Sequence, residues 1–179
     1  MSELPPLPDV VRDEPMLEAL LSRPSLADVG FARTLAGDVV VLGAGGKMGP
    51  SLARRVRRSC EADGVKHRVL AVARFSEPGL RAALERDGIE TIACDLLDPG
   101  DVARLPRCPN VLFLAGRKFG SSGRPDLTWA QNVVVPSIVA PHLPQSGRSW
   151  SLSFGMRFFV PQLRQRITIC FSIIRPPLP

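Results

Sequence analysis

Residues 43–49 read Gly-Ala-Gly-Gly-Lys-Met-Gly. Glycine reaches backbone conformations closed to other residues and lets a ligand come close to the main chain. At the start of a helix, such a turn presents unpaired backbone N–H groups and the positive end of the helix dipole. A phosphate or pyrophosphate is held by both. The spacing G-x-x-G-x-x-G is met by Gly43, Gly46 and Gly49, whereas G-x-G-x-x-G fails because position 48 is Met. Lys47 and Met48 complete the same candidate turn. Glycines alone also fit a plain tight turn. The context favours the binding turn, because an apolar run precedes it and a helical pattern follows.

A second position bears on the kind of nucleotide. The next apolar run ends in Ala73-Arg74-Phe75-Ser76. An acid at that place holds a ribose 2′-hydroxyl, and an arginine accommodates a 2′-phosphate. Arg74 also offers a planar face to adenine. This reading favours NADP(H) and leaves NAD(H) possible; the alternative is a surface arginine closing a strand. Other chemistry is sparse. The two histidines, His67 and His142, lie far apart, which argues against a zinc site. Cys60, Cys94, Cys108 and Cys170 form no C-x-x-C pair and read as reduced, cytoplasmic thiols. Cys94 falls in an apolar run and reads as inert. The chain has no tyrosine, and its lysines are Lys47, Lys66 and Lys118.

These residues need elements to position them. Residues 1–12 read as a loose proline-rich arm, and 14–35 as one or two short helices interrupted at Pro24. Four apolar runs, 38–42, 67–73, 89–94 and 110–115, read as strands, the first of them buried on both faces. Helical patterns separate them: 46–63 with Pro50 in its first turn, 76–86 opened by a Ser76 cap, and a short helix over 98–105. A last helix spans 127–140, with Pro136 as a candidate kink. Alternation of this kind predicts parallel strands joined by crossover helices. Ligands of such sheets bind at the carboxyl ends of the strands.

The 179 residues allow one domain with a real core. The net charge of +6 is uneven. All 17 acids lie in residues 1–126, and residues 127–179 carry five isolated arginines and no acid. The basic balance therefore belongs mainly to the tail, and a nucleic-acid partner is not expected. No apolar run is long enough to cross a membrane, and the acidic, proline-rich start does not resemble a secretory signal. Arg54, Arg55, Arg57 and Arg58 read as a solvated helix face in preference to an anion or nucleic-acid patch. Arg117, Lys118 and Arg124 decorate a loop that either steers an anion or is plain surface. Trp129 and Trp150 read as packing residues.

In order and spacing, the stretch 38–140 resembles the cofactor part of the NAD-dependent epimerase/dehydratase family, the extended short-chain dehydrogenases/reductases. The resemblance rests on the 43–49 turn, on Asp95-Leu96, on Leu114-Ala115-Gly116 and on Asn132. It departs at Lys47, where an aromatic residue is common, and at Gly116, where alanine is common. It implies a Rossmann-like, doubly wound α/β sheet, incomplete here, between a proline-rich arm (1–36) and an irregular tail (141–179). It also implies that Asp95 contacts the adenine amino group, that Leu96 neighbours it, and that Ala115 and Gly116 lie beside the nicotinamide ribose. An anionic nucleotide-sugar-like substrate would follow.

The same resemblance implies a Tyr-x-x-x-Lys pair that moves the proton. A chain without tyrosine cannot supply it. The segment Ser153-Phe-Gly155-Met-Arg-Phe158 echoes the family's Ser-x-Gly-x-x-Tyr, but phenylalanine has no ionisable hydroxyl, and Gln162 stands where lysine would. Acids vanish after Asp126, and six prolines fall within 141–179. The composition change predicts that translation leaves an ancestral frame near residue 140; a naturally divergent tail is the alternative. Residues 167–174 read as an added strand or an aggregation-prone segment. The functional expectation is a chain that binds NAD(P) and does not turn over. A regulatory NADPH-sensing module and a non-functional fragment remain alternatives.

Overall fold

Val39–Leu42 (β1) is a run of β-branched and aliphatic residues with no polar face, so it is stable only where both faces are covered. In the computed structural model, which describes residues 7–116, 123–142 and 167–169, all four of its residues are buried. The other strands are Val69–Ala73 (β2), Glu90–Ala93 (β3), Asn110–Phe113 (β4) and Ile167–Ile169 (β5). All pairings are parallel and the order is β3-β2-β1-β4-β5. This is a Rossmann-like doubly wound sheet, with its change of direction between β1 and β4. Of the stretch read as an irregular tail, Ile167–Ile169 pairs with Val111–Phe113 as the fifth strand. Residues 143–166 and 170–179 lie outside the described residues.

Alternation along the strands divides the core in two. Val40, Leu42, Leu70, Val72, Val111 and Phe113 face one side with Val135 and Val139. Val41, Val69 and Ala71 face the other with Ala53 and Leu84. The first side is covered by Pro99–Ala103 (α5) and Val135–His142 (α7), the second by Gly49–Ala62 (α3) and Leu80–Arg86 (α4). Each fully buried aliphatic side chain contributes about 1.5–3 kcal/mol to folding.

Two expectations about helices need correction. Residues 76–79 are not helical: α4 starts after Gly79, whose φ is +82°. Pro78 disfavours helical backbone at Glu77, so a helix cannot run through the proposed Ser76 cap. The last helix is not kinked at Pro136 but widened before it. Pro125–Trp129 (α6) passes into a π-helical turn at Ala130–Val134 and then into α7. The Val135 N–H reaches back to the Ala130 carbonyl. Pro136 has no N–H, and its ring crowds the carbonyl four residues earlier, so the preceding turn opens.

The described part of the arm forms Glu14–Leu21 (α1) and Leu26–Arg33 (α2), broken at Pro24. Both helices lie on α3. Here the basic cluster departs from a solvated face. Arg54 pairs with Glu18 at 2.9 Å and with Asp87 at 2.6 Å, and Arg55 pairs with Asp28 at 2.5 Å. Arg58 donates to the Ser22 hydroxyl at 2.6 Å, and Arg57 pairs with Glu61 one turn on. Ser22, Ser51 and Ser59 are buried, and the Ser51 hydroxyl donates to Glu18 at 2.9 Å. Arg54, Arg55 and Arg58 fasten the arm to the domain.

Candidate functional site

The chain leaves β1 through Gly43, whose φ is +86°. A Cβ there would stand 2.5 Å from the Ala115 nitrogen and 2.8 Å from the Leu114 carbonyl carbon. Only glycine satisfies both the dihedral and the approach to the end of β4. The N–H groups of Gly43 and Ala44 donate to the Val72 carbonyl at 2.9 and 3.0 Å. Gly46 and Gly49 then close successive turns, donating to Gly43 and Gly46 at 3.1 Å. A Cβ on Gly46 would meet nothing nearer than the Gly43 carbonyl at 3.5 Å, so Gly46 is open towards a ligand. Gly49 is different: a Cβ there would be 2.5 Å from Ala44 carbon atoms and closer still to the Ala44 oxygen. It lets α3 press against the turn.

The turn forms one wall of an open cleft of about 260 Å³ along the carboxyl edge of the sheet. Gly43, Gly45 and Gly46 line it after β1, Arg74 to Glu77 with Leu80 after β2, Cys94 to Leu96 after β3, and Leu114 to Gly116 after β4. Gln131 enters it from the π-helical turn. Seven candidate positions thus converge: Gly43, Gly46, Arg74, Asp95, Leu96, Ala115 and Gly116. Lys47 and Met48 are exposed on the turn and do not line the cleft, and Gly49 is buried beneath it.

Electrostatics differ along the cleft. Arg74 is exposed and makes no salt bridge among the described residues. Asp95 is half-buried and held from two sides: its Oδ1 accepts from the Leu97 N–H at 3.0 Å, and its own N–H donates to Asp101 at 2.9 Å. Burial, with Asp101 and Asp95 nearby, pushes the Cys94 thiol up to about 11. At neutral pH it is protonated and a poor nucleophile, in keeping with an inert residue. Among the described residues, no cluster of three metal-ligating side chains is placed to hold an ion.

No protein-family model matches the chain, and no curated protein does. Among solved structures, Pen from Bacillus thuringiensis superposes with a TM-score of 0.51 at 15% identity, over 62% of this chain and 37% of that one. L-threonine dehydrogenase from Clostridium difficile gives 0.46 at 15% identity, over 72% of this chain and 44% of that one. WbmF from Bordetella bronchiseptica, in complex with NAD+ and UDP, gives 0.47 at 17%, over 68% of this chain and 40% of that one. The likeness to Pen is one of fold alone. The chain spans well under half the length of each of these proteins.

Phe75, Glu77 and Gln131 are among the lining residues that sequence reasoning missed. Phe75 has φ of +50°, and among the described residues it is the only non-glycine with positive φ. A bulky side chain in that region costs about 1–3 kcal/mol. Packing against the α3/α4 side of the core offsets this, and the resulting turn places Arg74, Ser76 and Glu77 on one cleft. No residue-type pattern signals this. Glu77 is the second: no acid occupies 73–76, yet one lines the same cleft as Arg74. Gln131 is the third, and its signal was available, as argued below. Asn132 stands beside the β4 end, its Oδ1 lying 3.2 Å from where a Cβ on Gly116 would be. The loop residues Arg117 and Lys118, the segment 153–158, Gln162 and Cys170 lie outside the described residues.

Proposed function

We propose that residues 37–140 form a dinucleotide-binding domain of the extended short-chain dehydrogenase/reductase kind, taking NADP(H) in preference to NAD(H). The observation that carries this reading is the convergence of Gly43, Gly46, Arg74, Asp95 and Ala115 on one cleft at the sheet's change of direction. The residues present fit the cofactor. The turn has open space at Gly46 for a pyrophosphate, Arg74 the charge for a 2′-phosphate, and Asp95 an acceptor for an adenine amino group. An anionic nucleotide-sugar-like ligand would lie beyond the β4 end. When bound, the cofactor would supply a hydride acceptor or donor. The 179 residues hold no tyrosine for the proton-transfer role that the resemblance implies, and on that ground the reading is of binding without turnover, as in a redox-sensing module.

Calorimetric titration with NADPH and NADH tests the reading. The expected result is binding of both, NADPH the tighter. Arg74→Ala should remove most of the NADPH preference, because a charged hydrogen bond contributes about 1.5–3 kcal/mol, roughly 10- to 150-fold. No binding of either cofactor by folded protein refutes the proposal. Tighter binding of NADH by the parent protein refutes the role given to Arg74.

A further inference from the structure

The helix that returns from β4 begins at the carboxyl edge of the sheet and runs back across it. Val139 and Val135 form its buried stripe, four residues apart, 1% and 0% exposed. The next position up that stripe is Gln131, beyond the core and into the cleft beside Ala115 and Gly116. A stripe that is apolar below the sheet edge and turns polar above it places a hydrogen-bonding side chain where a ligand would lie. Gln131 is half-buried, and among the described residues its amide has no hydrogen-bond partner. It sits in the widened turn Ala130–Val134, a distortion that recurs at functional sites.

Strand order fixes which part of a ligand it faces. Asp95 follows β3, Arg74 follows β2, the glycine turn follows β1 and Gln131 follows β4. With strands about 4.8 Å apart, the cleft from β3 to β4 spans roughly 14 Å. The adenosine determinants occupy one end, the pyrophosphate turn the middle, and Gln131 the other end.

Resting on the dinucleotide reading above, we propose that Gln131 is a specificity-determining residue that holds the nucleoside half beyond the pyrophosphate. Its amide both donates and accepts, as a ribose diol or a carboxamide requires. The residue distinguishes a complete dinucleotide from an adenosine nucleotide that ends at the phosphate.

The test compares NADPH with adenosine 2′,5′-bisphosphate, which lacks the second nucleoside, on parent protein and on Gln131→Met. Methionine keeps the length and helical preference and loses the hydrogen bonds. The expected result is NADPH affinity reduced about tenfold with adenosine 2′,5′-bisphosphate affinity unchanged. If Gln131→Met alters the thermal melt, Gln131→Ala is read by the same ratio of the two affinities. Unchanged NADPH affinity overturns the inference, as does an equal loss for both ligands. Parent protein that binds the bisphosphate and NADPH equally well also overturns it, while leaving the adenosine end of the site intact. Parent protein that binds neither overturns the dinucleotide reading and this inference with it.

Discussion

Gly49→Ala separates two roles that the glycines share in sequence. Gly49 is in the first turn of α3, and its backbone is not left-handed. By helix propensity alone, alanine there would stabilise by about 1 kcal/mol. The structure reverses the sign. The added Cβ would lie 2.5 Å from the Ala44 backbone, against an ordinary carbon contact of about 3.5–4 Å. Backbone cannot swing aside, so α3 must lift by about an ångström. That would loosen Ala53, which is fully buried against β1 and β2. Overpacking of this kind costs up to about 3 kcal/mol, leaving a net loss of about 2 kcal/mol after the propensity gain. For a chain of this size the melting temperature should fall by about 4–8 °C. Circular dichroism at 222 nm on heating, with urea unfolding as a second measure, reads the effect. Gly46→Ala is the counterpart. Its Cβ has room, so stability should stay within about 0.5 kcal/mol while NADPH affinity falls. A Gly49→Ala protein that melts at or above the parent refutes the packing argument.

Further predictions follow from individual contacts. Glu77 shares the cleft with Arg74, so Glu77→Gln should tighten NADPH relative to NADH about threefold or more by removing a like charge from the 2′-phosphate; an unchanged ratio in titration would disprove that. Burial pushes the Asp28 carboxyl up, but the Ser25 hydroxyl and backbone N–H and the Arg55 guanidinium outweigh it and hold it below its usual 3.8. A depressed carboxylate stabilises above its unfolded pKa and ceases to do so as pH falls through the folded one. Asp28→Asn should therefore loosen the arm at pH 7 and make progressively less difference as the pH falls below 3.8 and the carboxyl takes up its proton, read by limited proteolysis of residues 7–35 at each pH. Cys94, with its thiol at about 11 and 4% exposed, should resist iodoacetamide in folded protein at pH 8 and react once unfolded. Leu42→Ala, at a site with no exposure, should cost about 2–5 kcal/mol in urea unfolding.

Much of the architecture is local. The apolar runs of β1, β2 and β4 have no polar face, so covered parallel strands follow from composition, and helical spacing between them supplies the covers. Pro24 divides the arm wherever the arm lies. Gly43, Gly46 and Gly49 mark the turn because glycine spacing survives as a pattern. Their three separate tasks, closing onto β4, opening to the cleft and seating α3, depend on which atoms of Ala115 and Ala44 come near. Sequence cannot show that distance. Ser76 looks like a cap in sequence, but Pro78 and Gly79 delay the helix and Phe75 turns the chain into left-handed backbone.

The amino-acid sequence by itself determined the layered α/β plan, the glycine turn and the lack of a tyrosine among these 179 residues, since each rests on residue type and near-neighbour spacing. Tertiary structure alone decided the rest. It brought Arg74, Asp95 and Gln131 to one edge from elements up to 57 positions apart in the numbering. It also turned three of the four arginines that read as a solvated face, Arg54, Arg55 and Arg58, into the fastening of the arm, because Glu18, Asp28 and Ser22 reach them only when α1 and α2 lie across α3. Parallel pairing joins strands far apart in the chain, and a charge acquires its role from the group that faces it across that distance.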